Sequence, residues 1–376
     1  MNYWQEYPLG TLLSYEQPTP YIVESTDYND NYKTPVLTAG KSFIIGYTQE
    51  LNGIYDRVPV IIFDDFTTST QYVNFPFKVK SSAMKILTAN TDLVLPKFIF
   101  YRMQLIEFDH STHKRYWIQQ YSKIKVRIPP LLEQKRIVAK IEELFSELDS
   151  GVETLKKTNQ QLAVYRQAVY ASVYEEKDMR PITEFFEISS GLTKNSKRNE
   201  MAIKMPYLRV ANVYFNKLDL SEIKHIGVNE DEVKKTTLQK GDLLFVEGNG
   251  SKEQIGRVAI WDGSIENCLH QNHLIKGRPL GQMIPLYALF YLISAYGRKQ
   301  ILDVASSTSG LYTLSANKVR NLRIPFVGGD EQEKRVALIQ SRLSVCDSIE
   351  KTIDATLQQT ESLRQSILKK AFEGEL

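Results

Sequence analysis

Two stretches of the chain carry hydrophobic residues at the spacing of a long amphipathic helix. Apolar positions recur at steps of three, four or seven residues over 137–169, and again over 336–367. Charged residues fill the remaining positions, and no proline interrupts residues 131–176 or 326–373. This is the heptad pattern of a coiled coil. The pattern predicts two long helices, each spanning about 65 Å at ~1.5 Å per residue.

The sequences that flank these two stretches repeat. RIPPLLEQKRI at 127–137 opens the first stretch, and RIPFVGGDEQEKRV at 323–336 opens the second. YRQAV at 165–169 likewise matches LRQSI at 363–367. We interpret the chain as a duplication of one unit, a globular part followed by a helix. A helix with one apolar stripe needs a partner, so the simplest arrangement is an antiparallel pair with pseudo-two-fold symmetry. The alternative is that each helix serves a homodimer.

The two globular parts have the pattern of β-rich structure. Short apolar runs bounded by Gly, Asp, Asn and Thr, such as residues 58–63 and 242–247, are typical of strands and turns. Residues 286–302 are apolar at helical spacing. The predicted fold class is therefore α+β: two β-rich domains separated by a pair of long antiparallel coiled-coil helices, with internal pseudo-two-fold duplication. The predicted boundaries are 1–127 and 178–323 for the domains, 128–177 for the central helix and 324–376 for the C-terminal helix.

Composition places the chain among ordinary globular proteins. Its 376 residues are 42% hydrophobic and 24% charged, which favours two to three domains and excludes a disordered or fibrous chain. The net charge of +3 neither requires nor excludes a nucleic-acid partner. No segment approaches the ~20 apolar residues of a membrane span, and the N-terminus has no basic signal-like region. With only two cysteines, we expect a protein of the reducing cytoplasm.

Motifs for catalysis are weak. There is no phosphate-binding GxxxxGK[ST] string, and Gly248, Gly250 and Gly256 lie between strand-like runs rather than opening a helix. Asp64 and Asp65 are interpreted as a solvated strand-to-turn step rather than as a catalytic pair. We therefore expect a non-catalytic chain with no cofactor or metal of its own.

One cluster keeps a metal hypothesis open. Cys268, His270 and His273 could supply three zinc ligands, as a zinc-dependent hydrolase would require, but no fourth ligand is visible nearby. The two amides between these histidines suggest a different role, because Gln and Asn can read an adenine edge through paired hydrogen bonds.

Both globular parts contain clusters of residue types that bind phosphates or read base edges. For each residue alone, a solvated charge or an internal hydrogen bond is the simpler explanation, so the hypothesis depends on the occurrence of such clusters in both parts. The first part contributes Lys41, Ser42, Thr68, Ser69, Gln71, His113, Lys114 and Arg115. The second contributes Lys194, Lys197, Arg198, Arg209, Asn212, Asn249, Ser251, Lys252, His270, Gln271, Asn272, His273, Ser307 and Ser309.

At this level the chain resembles the DNA specificity subunits of type I restriction-modification systems. The resemblance is carried by the repeated RIPPLLEQKRIVAKI and RIPFVGGDEQEKRVALI strings and by the ending LRQSILKKAFEGEL. Within the second part it is carried by YLRVANV, GDLLFVEGNG, IGRVAIWDG and CLHQNH. Within the first part, PVLTAGKSFIIGYT and VIIFDDFTTSTQYV resemble another subtype of the recognition domain of this family.

The resemblance implies two target-recognition domains, each reading one half of a split site on double-stranded DNA. It implies two methyltransferase subunits as partners, which carry S-adenosylmethionine and the adenine chemistry. Restriction subunits that use ATP are a further expected partner, and the helices would act as a ruler for the spacing of the half-sites. The alternative reading is a paired-head coiled-coil scaffold that binds protein partners without reading DNA sequence.

Overall fold

The computed structural model describes residues 4–38, 42–108, 115–174, 178–249, 251, 254–308 and 311–376. The chain divides into two compact units: unit 1 comprises residues 1–155 and 354–376, and unit 2 comprises residues 156–353. Each unit therefore contains one globular part together with a portion of both long helices. Within the described ranges, no helix has both the length and the apolar character needed to cross a membrane.

Unit 1 begins with short strands and helices in alternation. Its strands are β1 (Gln5–Pro8), β2 (Leu13–Glu16), β3 (Thr34–Leu37), β4 (Ile44–Thr48), β5 (Val60–Asp64), β6 (Thr70–Val73), β7 (Lys78–Val79), β8 (Met84–Ala89) and β9 (Lys125–Ile128). Its short helices are α1 (Leu9–Leu12), α2 (Pro96–Met103) and α3 (Tyr116–Gln119), and the long helix α4 (Leu131–Ala171) follows β9.

The strands of unit 1 form two main sheets. An antiparallel sheet has the order β2-β8-β5-β6, and a smaller sheet has the order β4-β3-β7, in which β3 and β7 run parallel. Alternate side chains of β5 enter two different cores: Ile61 and Phe63 pack with Trp117 in one, while Val60 and Ile62 pack in the other. Because both faces of β5 are buried, its sequence is a continuous apolar run rather than an alternating one.

Unit 2 is richer in strands. They are β10 (Met179–Pro181), β11 (Phe186–Ser190), β12 (Ile203–Leu208), β13 (Val213–Tyr214), β14 (Lys217–Leu218), β15 (Lys224–Val228), β16 (Leu243–Val246), β17 (Gly248–Asn249), β18 (Val258–Ile260), β19 (Leu269–His270), β20 (Leu274–Pro279), β21 (Ser306–Thr308), β22 (Leu311–Thr313) and β23 (Arg323–Pro325). The helices are α5 (Glu230–Thr236), α6 (Pro285–Ile293), α7 (Ala295–Val304), α8 (Ala316–Arg320) and the long α9 (Gly329–Glu373).

The sheets of unit 2 follow the orders β11-β20-β16-β18 and β15-β12-β19, and β12 runs parallel to β19. A third sheet joins β17, β22 and β21. Leu243 and Phe245 of β16 enter the largest core, and Leu244 and Val246 enter a separate one.

The helix predicted over 286–302 is two helices. The buried Ser294 ends α6 and caps α7, since its hydroxyl donates to Tyr291 O at 2.6 Å and accepts from Gly297 N at 3.4 Å. A Cβ on Gly297 would lie 2.3 Å from Tyr291 O. The break therefore lets the backbone of α7 pack directly against the end of α6.

The two long helices are antiparallel within each unit. In unit 1, Arg364 of α9 pairs with Asp149 of α4. In unit 2, Arg166 of α4 pairs with Asp347 of α9 at 2.7 Å. The heptad prediction is wrong for part of the seam, because three of its apolar side chains, Tyr165, Ile349 and Leu363, are exposed. Other apolar positions of the same pattern, such as Ile141 and Ile339, are buried in the globular cores.

A buried glutamine lies at the start of each long helix. In unit 1, Gln134 accepts from Leu95 N at 2.8 Å and donates to Leu93 O and Pro129 O. In unit 2, Gln332 accepts from Ile284 N at 2.8 Å and donates to Val327 O and Gln282 O. Leu95 and Ile284 are the N-cap residues of α2 and α6, and neither receives a cap from its own side chain. Each glutamine thus ties a long helix to a helix of the globular part.

Candidate nucleic-acid interface

In unit 2, six of the fourteen predicted DNA contacts lie along one edge of the globular part. Residues 270–273, at the end of β19 and in the connection to β20, form backbone hydrogen bonds to three neighbouring segments. One of these segments is bonded in turn to a fourth. Four backbone hydrogen bonds make these links: Leu192 N to His270 O at 2.9 Å, Gln271 N to Leu208 O at 3.0 Å, Glu247 N to His273 O at 3.0 Å and Leu314 N to Glu247 O at 2.6 Å. We call residues 192–197, 247–249 and 271–273 the unit 2 edge.

The unit 2 edge carries cations and base-reading side chains. Lys194, Lys197 and His273 are exposed, while Gln271 and Asn272 are half-buried. The segments that contain Asn249 and Ser307 approach the same edge, because β17 and β21 both pair with β22. Ser251, half-buried, follows β17. The arrangement suits a surface that holds phosphates at its rim and reads bases at its centre.

Arg198 has a structural role rather than the predicted phosphate contact. Its side chain is largely buried and forms an ion pair with Glu232 at 2.8 Å. It also donates to Thr193 O at 2.6 Å and to Gly227 O at 2.9 Å. The Arg198 guanidinium therefore holds in place the loop that presents Lys194 and Lys197.

Asn212 is also corrected to a structural residue. It is buried, accepts from Arg209 N at 2.8 Å and donates to Asp219 O at 2.8 Å. Arg209, at the start of the connection after β12, pairs with Glu222 at 3.0 Å. Hydrogen bonding to Arg209 lowers the pKa of Glu222. These contacts occupy Nη2 of Arg209, which also donates to Glu222 O at 3.2 Å.

His270 does not reach the surface. Its ring is fully buried, and Nδ1 lies 3.0 Å from Thr236 O. Burial lowers the pKa of His270 to about 3, and raises the pKa of the buried Cys268 thiol to about 12. Among the described residues no three His, Cys, Asp or Glu side chains are grouped as metal ligands. The zinc hypothesis therefore loses its support: two of its three residues are core side chains, and His273 faces outward.

Acidification should destabilise unit 2 through His270. The unfolded chain takes up a proton near the ordinary histidine pKa of ~6.5, whereas the folded ring stays neutral until about pH 3. The stability contributed by the neutral ring is therefore present above pH 6.5 and declines as the pH falls, by about 2 kcal/mol at pH 5. Urea unfolding at pH 7 and pH 5 measures this loss. His270→Gln should reduce the difference in the free energy of unfolding between pH 7 and pH 5, and replacing the exposed His225 by Gln should not. An equal pH dependence in all three proteins would contradict the assignment.

Unit 1 has an edge built by the same kinds of links. Four backbone hydrogen bonds join its segments: Val23 N to Val79 O at 3.0 Å, Lys80 N to Leu37 O at 2.9 Å, Asp65 N to Ala83 O at 3.4 Å and Tyr116 N to Asp65 O at 3.0 Å. We call residues 23–25, 65–69, 80–83 and 115 the unit 1 edge.

Three of the predicted contacts of unit 1 lie on this edge: Thr68, Ser69 and Arg115. Thr68 and Ser69 lie in the tight β5–β6 turn, where Thr68 has a positive φ of 57° and donates its N–H to Asp64 O. Arg115 is exposed and precedes α3. Ser42 is exposed in the β3–β4 connection, and Gln71 is half-buried on β6.

Two polar residues of the unit 1 edge were missed by sequence reasoning. Lys80 and Ser81, both exposed, follow β7 as Gln271 and Asn272 follow β19. They follow a short strand in the string FKVKSSAMK, whose lysines were not among the predicted contacts. The parallel pairing of β7 with β3 and the backbone bond to Leu37 bring them to this position.

Asp65 is not a solvated residue, contrary to the sequence interpretation. It is 2% exposed and pairs with the equally buried Lys85 at 3.2 Å. Its second oxygen accepts from Trp117 N at 2.8 Å. Asp64 instead closes the turn, accepting from Phe66 N and Thr67 N. The two carboxylates therefore stabilise the conformation of the unit 1 edge.

The remaining predicted contacts lie outside what the structure describes. These are Lys41, His113, Lys114, Lys252 and Ser309, together with the side chains of Asn249 and Ser307.

Comparison with known proteins agrees with this architecture. A chain from a structural study of complex assembly and conformational transition of the type I R-M system superposes with a TM-score of 0.67 at 16% identity, covering 98% of this chain and 100% of that chain. The HsdS subunit of Thermoanaerobacter tengcongensis superposes with a TM-score of 0.53 at 18% identity, covering 99% of this chain and 97% of that chain. At these identities the superpositions show the fold alone.

Sequence relatives identify the family. The family model for the type I restriction modification DNA specificity domain matches residues 174–359. The chain is 31% identical over 365 residues to the specificity subunit of the Escherichia coli type I restriction enzyme EcoR124I/EcoR124II, covering 91% of this chain and 87% of that relative. It is 30% identical to the EcoKI specificity subunit of E. coli K12, covering 67% and 58% respectively. The chain belongs to the family of type I restriction enzyme DNA specificity subunits.

Proposed function

We propose that this chain is a non-catalytic subunit that reads a bipartite DNA site, one half with residues 1–127 and the other with residues 178–323. The observation that carries the proposal is the pair of edges. In each unit, four corresponding backbone hydrogen bonds gather segments that are distant in sequence. Several of the predicted phosphate-binding and base-reading residues lie on those segments: Thr68, Ser69 and Arg115 in unit 1, and Lys194, Lys197, Gln271, Asn272 and His273 in unit 2. A split recognition site is the natural target of two such edges.

We also infer that the two units arose by duplication. The sheet orders β2-β8-β5-β6 and β11-β20-β16-β18 correspond strand by strand, as do β4-β3-β7 and β15-β12-β19. Gln134 and Gln332 make corresponding sets of hydrogen bonds at the starts of the long helices. These correspondences support an internal repeat, which the sequence retains at the starts of the long helices and has lost across the edges.

The long helices are the proposed docking surface for protein partners. Several large apolar side chains on them are exposed: Leu132, Val164, Tyr165, Leu338, Val345, Ile349 and Leu363. Large apolar side chains left exposed on a helix are candidates for contact with a protein partner. We propose two methyltransferase subunits as the partners, with restriction subunits added in the complete enzyme. S-adenosylmethionine and ATP would then bind to those subunits. Family membership does not favour the alternative of a scaffold that ignores DNA sequence.

Methylated adenines mapped across the genome of the source organism test the proposal, with the gene intact and with it deleted. We expect one split motif to lose its methylation on deletion, which would define both half-sites at once. If every methylated motif survives in a strain that expresses the complex, the proposal is wrong.

Loss of the two exposed lysines of the unit 2 edge should weaken DNA binding in a salt-dependent way. Each phosphate contact contributes about 0.9 to the slope of log affinity against log salt. We therefore expect Lys194→Ala/Lys197→Ala to reduce that slope by about 2 for the complex with its methyltransferase subunits. Fluorescence anisotropy from 50 to 300 mM KCl measures it.

The control for this pair removes two exposed lysines elsewhere in unit 2, Lys240→Ala/Lys299→Ala. It has the same change in net charge, so its slope should stay within experimental error of the wild type. An equal reduction in both variants would show a general charge effect and would remove the lysines from the proposed interface.

A further inference from the structure

His273 is tied to Glu247 at two points on the unit 2 edge. Glu247 N donates to His273 O at 3.0 Å, and Nδ1 of the ring lies 2.8 Å from Glu247 Oε2. The His273 side chain is 55% exposed and that of Glu247 is 30% exposed, so the carboxylate sits behind a ring that faces outward. The ring is thereby oriented in advance, next to the half-buried amides of Gln271 and Asn272.

The Glu247 carboxylate also decides which ring nitrogen carries the proton. An ionised carboxylate can only accept, so Nδ1 must be the donor in this contact. A neutral imidazole has one proton, and Nε2 is then a bare acceptor. The described part of the chain supplies no hydrogen bond to Nε2, so the acceptor is available to a ligand at the edge.

We propose that His273 is a base-reading residue that selects a hydrogen-bond donor in the DNA major groove, and that Glu247 is the positioning residue that fixes its acceptor form. The inference rests on the proposed function of the unit 2 edge. Adenine presents its N6 amino group and cytosine its N4 amino group, whereas guanine presents acceptors, and thymine an acceptor and a methyl group. An unprotonated Nε2 accepts a hydrogen bond from these amino groups, whereas its lone pair is repelled by the acceptor lone pairs of guanine or thymine.

The corresponding place in unit 1 lacks this device. There the backbone bond runs from Asp65 N to Ala83 O, so alanine replaces the imidazole. The Asp65 carboxylate is buried against Lys85 instead of facing the edge. Donor selection by this pair is therefore confined to the half-site read by unit 2, and the half-site read by unit 1 serves as an internal reference.

The test uses the complete complex with its methyltransferase subunits and a DNA library in which both half-sites are randomised. The molecules that become methylated are sequenced. The variants are His273→Ala, Glu247→Ala and, as a control with the same charge change, Glu266→Ala at an exposed acid of unit 2.

For the wild type we expect one position of one half-site to prefer adenine or cytosine. His273→Ala should reduce that preference roughly three- to tenfold, the value of a single net hydrogen bond, and leave the other half-site unchanged. Without the Glu247 carboxylate, the ring proton is free to lie on Nε2 instead of Nδ1, and Nε2 then becomes a donor. In Glu247→Ala, guanine or thymine should therefore become accepted at the same position. Glu266→Ala should match the wild type.

The inference is overturned if His273→Ala changes no position, or if Glu247→Ala and Glu266→Ala give the same preferences. A wild-type complex that methylates no split motif would overturn the proposed function itself, which is a separate result. Loss of preference at both half-sites in His273→Ala would show disruption of the fold and would also count against a base-reading role.

Discussion

Replacing Gln332 by alanine should lower the free energy of unfolding of unit 2 by about 3 kcal/mol. The side chain is fully buried and makes three hydrogen bonds, to Ile284 N, Val327 O and Gln282 O. An alanine leaves these groups buried without partners, and each unsatisfied group costs about 1–3 kcal/mol. Ile284 is the N-cap of α6, so the loss falls on a helix that packs in the largest core of the unit.

Hydrogen exchange followed peptide by peptide measures this effect, since the two units need not unfold together. The amide of Ile284 should exchange much faster in Gln332→Ala, and unit 1 should be unaffected. Gln134→Ala should give the converse result, with faster exchange at Leu95. Gln340→Ala, at an exposed position of the same helix as Gln332, is the control and should change stability by less than about 0.5 kcal/mol. Equal effects at 332 and 340 would contradict the assignment.

Gly191→Ala should remove recognition of one half-site. A Cβ at this position would lie 2.1 Å from His270 O and 2.7 Å from Gln271 O, and both atoms are backbone. The loop of Lys194 and Lys197 must then move away from the segment of Gln271 and Asn272. Overpacking of this kind costs about 1–3 kcal/mol, so we expect methylation that depends on the unit 2 half-site to fall about 10- to 100-fold.

The matched control for Gly191 is Gly248→Ala on the same edge. There the nearest atom to a new Cβ is Tyr312 O at 3.8 Å, which is an ordinary contact. Methylation by this variant should remain within about threefold of the wild type, since substitutions that create no clash and remove no contact usually change free energies by about 0.5 kcal/mol or less. A Gly191→Ala complex as active as Gly248→Ala would show that the close approach of the two segments does not matter for reading.

The contrast between neighbouring residues shows where sequence reasoning succeeds and fails. Gln271 and His270 belong to one polar string, yet Gln271 reaches the edge and His270 is fully buried. Lys197 and Arg198 are both basic, but only Arg198 turns inward to Glu232. Residue types predict the chemistry of a segment. Which member of the segment faces solvent depends on strand register and on partners that are distant in sequence.

The two long helices, their repeat and the family could be predicted from the sequence alone, because heptad spacing and the RIP…Q strings are local patterns. Gln134 and Gln332 were visible as a repeated residue, but their capping of α2 and α6 was not, since the capped residues lie 39 and 48 positions away. The two edges were decided by the tertiary structure alone. Lys80 reaches its place through a backbone bond to Leu37, and His273 acquires a fixed tautomer through a carboxylate 26 positions away. Both are properties of non-local hydrogen bonds, which no local pattern encodes.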